Sequence, residues 1–428
     1  MWSPSDNVKS RLSWLSQKMR GRLFENFASL SVLQYANYLF PLITVPYLTR
    51  VIGVYGFGLT AFAQGFIAYF VVVVNYGFGY SATRQVAIAR ESRATLNRIF
   101  SNVLWAKIIL GVLAFFLICL FLILSKQYRD QFNLFLSCYS IVIATVISTE
   151  WFFQGMEDMK YITVIGLISR LITTLMVFVV IRKESDYVYV PALYGLGIFV
   201  SSVVGIGMIW KKYDVAISGF DASGVWTQLK DGWDIFLSMA FISLYTTSNG
   251  FLLGLVSTPT QVGYYAAAEK IVTAIRAVWQ PVPQALYPYF SRIYTDDPLR
   301  GKNLLRYLTI TAFAITFALA LLGCVTAPII VHYFLGKAFH ASTPIVQILV
   351  FSTVGIGISN ILVLQGLLAS GNSAAVRNIT LGAGILNIVL VWVLGKSLGA
   401  IGASISVVSV EFIIPLVALI VLARRRLI

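Results

Sequence analysis

Apolar runs of about 20 residues, the length a helix needs to cross a bilayer, recur along almost the whole 428-residue chain. Twelve windows qualify, at 24–49, 57–80, 102–125, 132–153, 161–181, 188–210, 235–256, 262–287, 308–334, 344–369, 379–395 and 399–422. Backbone polar groups in hydrocarbon must find partners inside their own segment, and a helix provides them. The expected fold is therefore an all-α polytopic membrane protein of about 12 transmembrane helices. Charged residues make up only 11% of the chain, against about 25% in soluble domains. The last two windows are separated only by SLGA at 397–400.

Lys and Arg orient these windows. With a cytoplasmic N-terminus, 21 of the 32 fall in cytoplasmic connections, 7 in the opposite ones and 4 (Lys107, Arg170, Lys270, Arg276) inside spans. The positive-inside rule then predicts that both termini are cytoplasmic. Topology thus accounts for the net charge of +15 and removes the reason to invoke nucleic acid. No connection is long enough for a soluble domain, and the longest divides the spans into two sets of six. The expected organisation is a basic N-terminal segment (1–22), a six-helix bundle (23–210), a cytoplasmic linker (211–234) and a second six-helix bundle with a basic tail (235–428). An internal echo, VYGFGLTAFAQ at 54–64 against VGYYAAAEKI at 262–271, suggests repeated halves around a central cavity, a transporter plan. In the first segment, Val8, Leu12, Leu15 and Met19 share a helical face with basic residues elsewhere, which suits either an anionic leaflet or a basic tail. It does not read as a removable secretory signal.

Charge inside a span costs roughly 2.5–3.5 kcal/mol and commonly marks a pathway. In the eighth window Glu269, Thr273, Arg276 and Gln280 stand at i, i+4, i+7 and i+11, which predicts one polar stripe. Arg276 is near mid-span and is the leading candidate for binding an anion; the competing reading pairs it with Glu411 of the twelfth window. Arg170 is also central, on a face with Thr163, Gly166 and Thr174, whereas Lys107 and Glu150 are close enough to span ends to snorkel. Gln34, Asn37, Tyr38 and Pro41 share a face of the first window, which Arg50 closes, and Pro41 and Pro46 predict a bend. Gln64 and Asn75 share a face of the second, and Asn249 belongs to a polar cluster, TTSNG, in the seventh. Each of these has interhelical hydrogen bonding as its plain explanation; together they predict a polar interior fit for a sugar-bearing ligand. Cations outnumber acids well inside the spans, so the expected cargo is anionic, and phosphate suits the planar fork of Arg.

Residues for catalysis or for a cofactor are not apparent, and the chain is read as a non-enzyme. His332 and His340 lack metal-ligand spacing, and Cys119, Cys138 and Cys324 sit in apolar runs as small core residues. GKS at 395–397 lacks the upstream Gly of a phosphate-binding loop, DDP at 296–298 reads as a turn, and NIT at 378–380 falls on the expected cytoplasmic side.

PYLTRVIG (46–53), FGYSATRQVA (78–87), GYYAAAEKI (263–271) and ALYPYFSR (285–292) resemble the bacterial polysaccharide transporter family, specifically Wzx-type O-antigen flippases, across the whole chain. The resemblance implies two six-helix bundles around a central cavity, in the superfamily of multidrug exporters and peptidoglycan-precursor flippases. It implies translocation of an undecaprenyl-pyrophosphate-linked oligosaccharide from the cytoplasmic to the periplasmic leaflet of the inner membrane, with a polysaccharide polymerase and chain-length machinery as partners. Arg50, Arg84, Glu269 and Lys270 fall in its recurring motifs. Asn75 stands where the family commonly has an acidic residue, so proton or sodium coupling would have to use Glu269 or Glu411. The alternatives are a cation-coupled multidrug exporter of the same architecture and a membrane-embedded glycan polymerase or ligase.

Overall fold

The computed structural model describes residues 4–125, 128–246, 249–279, 282, 283, 286, 290, 293 and 297–425. Among these there is no β-strand. Eight helical stretches among the described residues are long and apolar enough to cross a membrane. Two of them do so twice. A straight 45-residue helix would run about 68 Å, over twice the ~30 Å hydrocarbon core, and the stretch Ser31–Asn75 is broken at Gly53 (φ 65°, ψ −179°). Asn37 and Asn75 consequently line one cavity. Ser373–Arg424 is broken in the same way at Gly399 (φ 58°, ψ −133°), and a Cβ on Gly402 would lie 1.9 Å from the Leu394 carbonyl oxygen, as in a hairpin. Positive φ at both hinges is the region only glycine enters cheaply. The single-glycine turn at 399 explains why so short a connection suffices there.

Two further crossings complete the count of twelve among the described residues: Ala222–Thr246 continued by Asn249–Val256, and the charge-bearing Pro259–Ala277. Spans 1–6 are residues 4–52, 54–75, 93–124, 132–155, 159–180 and 190–213, and spans 7–12 are residues 222–246 with 249–256, 259–277, 298–335, 342–368, 373–398 and 400–424. Span 1 begins far upstream of its apolar window and stays helical through Pro41 and Pro46. Residues 222–234 of the expected linker are likewise helical and extend span 7. Span 4 is discontinuous, because its helix stops at Val146 and resumes at Glu150.

Large apolar side chains point outward along the spans, with Phe116 64%, Ile315 45% and Trp392 51% exposed. Such a surface belongs against lipid rather than water, and the chain is a multi-pass membrane protein. Spans 1–6 pack on one another in an N-terminal lobe, and spans 7–12 form a C-terminal lobe. The lobes meet tightly where span 2 crosses span 8. A Cβ on Gly58 would lie 1.8 Å from the Pro259 carbonyl oxygen, and one on Gly263 would lie 2.3 Å from that of Val54. Aromatic packing seals the same end. Phe62 stacks on Tyr128 at 4.4 Å and on Phe251 of span 7 at 5.4 Å, and the Tyr128 hydroxyl donates to the Gly254 carbonyl at 2.7 Å. At the opposite end Tyr76 stacks on Phe236 at 4.7 Å, and Gln85 bonds Gln228 and Asp231 at the start of span 7.

Candidate functional site

Among the described residues, polar side chains of the spans line three cavities that bear on the site. The largest is a cavity of about 410 Å³ within the N-terminal lobe, walled by spans 1, 2, 4, 5 and 6. Span 5 supplies Gly166, Ser169, Arg170, Thr173 and Thr174, a helical stripe of small, hydroxyl and cationic groups. Arg170 donates from Nη1 to the Gly166 carbonyl one turn back at 2.8 Å. Glu150 lies across the cavity, at the helix restart in span 4.

That restart depends on Lys107. Its side chain is 2% exposed and its ammonium donates to the Thr145 carbonyl at 3.0 Å and the Ser148 hydroxyl at 2.9 Å. These groups sit at the break in span 4, where carbonyls have lost their helical partners. Lys107 therefore holds Ser148 and Thr149 in the wall of the large cavity without lining it.

A second cavity of about 180 Å³ lies inside the C-terminal lobe and gathers Asn249, Tyr265, Glu269, Arg276, Asn387 and Glu411. Arg276 donates from Nη2 to the Ser352 hydroxyl, while its Nε is buried without a hydrogen-bond partner. Asn387 donates to Asn249 at 2.7 Å, tying span 11 to span 7. One guanidinium and two carboxylates share this space, so its formal charge is not positive.

The third compartment is a cleft of about 120 Å³ between the lobes, lined by Asn37, Tyr38 and Pro41 of span 1 and by Lys270 and Thr273 of span 8. Asn37 and Pro41 also line the large N-terminal cavity, so the two spaces share a wall. Gln34 donates to the Tyr38 hydroxyl at 3.0 Å. Arg50, at the end of span 1, donates to the Tyr333 carbonyl at 2.6 Å and so links the lobes.

The cations expected in one chamber thus occupy different ones. Arg170 is in the N-terminal lobe, Arg276 in the C-terminal lobe, Lys270 between them, and Lys107 in the packing of spans 3 and 4. The stripe of span 8 also divides. Successive residues turn about 100° around a helix, which sends Tyr265, Glu269, Val272 and Arg276 into the C-terminal cavity and Lys270, Thr273 and Ala274 into the cleft. Asn75 lines the N-terminal cavity; Gln64 is half-buried and absent from all three linings. Gln280 lies outside the described residues. The residues not singled out in the sequence are chiefly hydroxyls, Thr149, Ser169, Ser201 and Ser202 among them. On span 5, the helical spacing of Gly166, Ser169, Arg170, Thr173 and Thr174 is the sequence signal that could have pointed to this cavity.

Two lobes of six spans, each with a polar interior, in contact at both ends and separated between them by a cleft, define a helical membrane transporter fold. Solved structures share it. An inward-facing multidrug resistance MATE family transporter of the MOP superfamily superposes with a TM-score of 0.72 at 15% identity, covering 94% of this chain and 98% of that one. The lipid II flippase MurJ, in an inward closed conformation, gives 0.67 at 15% identity, covering 94% and 87%. Residues 23–294 match the family described as Polysaccharide biosynthesis protein, and the chain belongs to it. An Escherichia coli (strain K12) protein named "Putative O-antigen transporter" is 28% identical over 405 residues, 95% of this chain and 98% of that protein.

Proposed function

We propose that this protein is a flippase that moves an undecaprenyl-diphosphate-linked saccharide unit across the inner membrane, from the cytoplasmic to the periplasmic leaflet. The observation that carries this reading is the shared wall between a hydroxyl-lined cavity and a cleft bearing Lys270. A glycan needs many hydrogen-bonding partners, a diphosphate needs a cation, and a lipid tail needs a route past both. Family membership and the similarity to a named O-antigen transporter support the same substrate class. Lys270 attracts the diphosphate in the cleft. Arg50 and the glycine crossing of spans 2 and 8 close the periplasmic end, and they separate as the lobes rock to release the cargo. In the C-terminal cavity Arg276 balances Glu269 and Glu411, the carboxylates through which a proton or sodium ion would be coupled. Both termini are on the cytoplasmic side.

Deleting the native copy and complementing with variants tests this reading. Lys270→Glu, placing an anion where the diphosphate rests, should abolish surface polysaccharide while the protein stays in the membrane. Full export by that variant would refute the role of Lys270. Drug sensitivity in the deletion strain with intact polysaccharide would favour a multidrug exporter instead.

A further inference from the structure

The N-terminal cavity has more hydrogen-bonding capacity than the lobe itself uses. The Thr149 hydroxyl and the Asn37 carbonyl oxygen are buried without hydrogen-bond partners, and both residues line this cavity. Thr149 is 2% exposed. Buried unpartnered polar atoms normally cost about 1–3 kcal/mol each, so their retention calls for an explanation. The sequence makes room for one of these atoms: a Cβ on Gly205 would lie 2.3 Å from the Thr149 hydroxyl oxygen.

Size and charge restrict what they serve. At about 410 Å³ the cavity falls in the range of small-molecule sites, roughly 300–1,000 Å³, which the C-terminal cavity and the cleft do not reach. Its acidic and basic wall residues are Arg170 and Glu150, whose formal charges cancel, so it gives no net attraction to a diphosphate. It offers a guanidinium donor, a carboxylate acceptor, the Thr149 hydroxyl, and the oxygens of Thr145 and Thr173, whose protons go to the Ile141 and Leu193 carbonyls and which remain acceptors. That mixture of donors and acceptors complements vicinal hydroxyl and amide groups. The shared residues Asn37 and Pro41 put the cavity beside the cleft that holds Lys270.

We infer that the cavity enclosed by spans 1, 2, 4, 5 and 6 is a sugar-recognition subsite, which receives the uncharged sugar residue next to the diphosphate while the diphosphate stays in the cleft at Lys270. The inference rests on the flippase reading and adds a division of labour: the cleft reads the lipid diphosphate, and the N-terminal lobe reads the glycan. Thr149 and Asn37 are specificity residues.

The test uses the full chain in lipid nanodiscs and two probes, undecaprenyl diphosphate and undecaprenyl diphosphate carrying one N-acetylglucosamine. Wild-type protein should bind the sugar-bearing lipid more tightly. Thr149→Val keeps the side-chain shape and removes a hydroxyl with no protein partner. It should cut the sugar advantage by about 2- to 10-fold, the worth of one hydrogen bond, and leave bare-lipid affinity and melting temperature unchanged. Ser169→Leu, which narrows the cavity, should remove the advantage altogether. Equal binding of the two lipids by wild type, or an unchanged advantage in Thr149→Val, would overturn the subsite and leave the flippase reading standing. Failure to bind either lipid would overturn both.

Discussion

Replacing Gly58 with Ala should prop the lobes apart at the end where spans 2 and 8 cross. The added Cβ would lie 1.8 Å from the Pro259 carbonyl oxygen and 2.7 Å from the Gly263 nitrogen, whereas real Cβ contacts essentially never fall under 3.0 Å. The obstruction is backbone, so it cannot rotate away as a flexible side chain would. Relief requires the two helices to separate locally by about 1.2 Å, the difference between 1.8 and 3.0 Å. Overpacking of this kind typically costs about 1–3 kcal/mol. Set against one conformational state only, that biases the equilibrium away from closure by about 5- to 150-fold. Spin labels at Tyr55→Cys and Lys337→Cys, exposed positions on opposite lobes, would report the change after Cys119, Cys138 and Cys324 are replaced. Gly58→Ala should add a longer-distance population absent from the parent protein. An unchanged distance distribution in a folded Gly58→Ala protein would refute the idea that this glycine contact closes the lobes.

Two further outcomes follow from local chemistry. Lys107→Met should lower the melting temperature in detergent, because it leaves the Thr145 carbonyl and the Ser148 hydroxyl at the break in span 4 without their Lys107 partner, and losing a buried partner costs about 1–3 kcal/mol; an unchanged melting temperature would mean that Lys107 does not support the break. At the connection between spans 4 and 5, burial alone would raise the Asp158 pKa, but hydrogen bonds from Lys212 and Tyr213 hold it below the ordinary carboxylate range. Stability from this clamp is therefore present above the unfolded-state pKa of about 3.9 and is lost as pH falls through the lower folded value. Asp158→Asn should flatten that acid limb of the stability profile, and an unaltered limb would contradict the assignment.

The crossings were legible in the sequence because hydrocarbon thickness sets the length of an apolar run, which composition reveals directly. Helix continuity was not. Hydropathy is unaffected when the chain breaks at Ile147, Ser148 and Thr149, and the lysine that stabilises the break comes from span 3. The identity of the polar residues in span 8 was readable, but their destinations depend on what packs around them. Glu269 and Arg276 meet Asn249, Asn387 and Glu411 from spans 7, 11 and 12. Lys270, one residue along, meets Asn37 and Tyr38 of span 1. A single helix cannot say which neighbour lies on which side, so a stripe drawn from periodicity merged two compartments. On span 5 the sequence places Thr163, Gly166, Arg170 and Thr174 on one face, but a hydroxyl in a membrane helix can equally bond a local carbonyl or a neighbouring helix, and only the enclosed cavity brings Ser169 and Thr173 in with them.

The central claim, that the protein carries a lipid-linked saccharide across a bilayer, is tested most directly with purified protein in liposomes loaded with undecaprenyl diphosphate bearing a fluorescent saccharide. Accessibility of the label to a membrane-impermeant quencher would be followed with time. Wild-type protein should equilibrate the lipid between leaflets and Lys270→Glu should not. Equal rates for wild type, Lys270→Glu and protein-free liposomes would contradict the account.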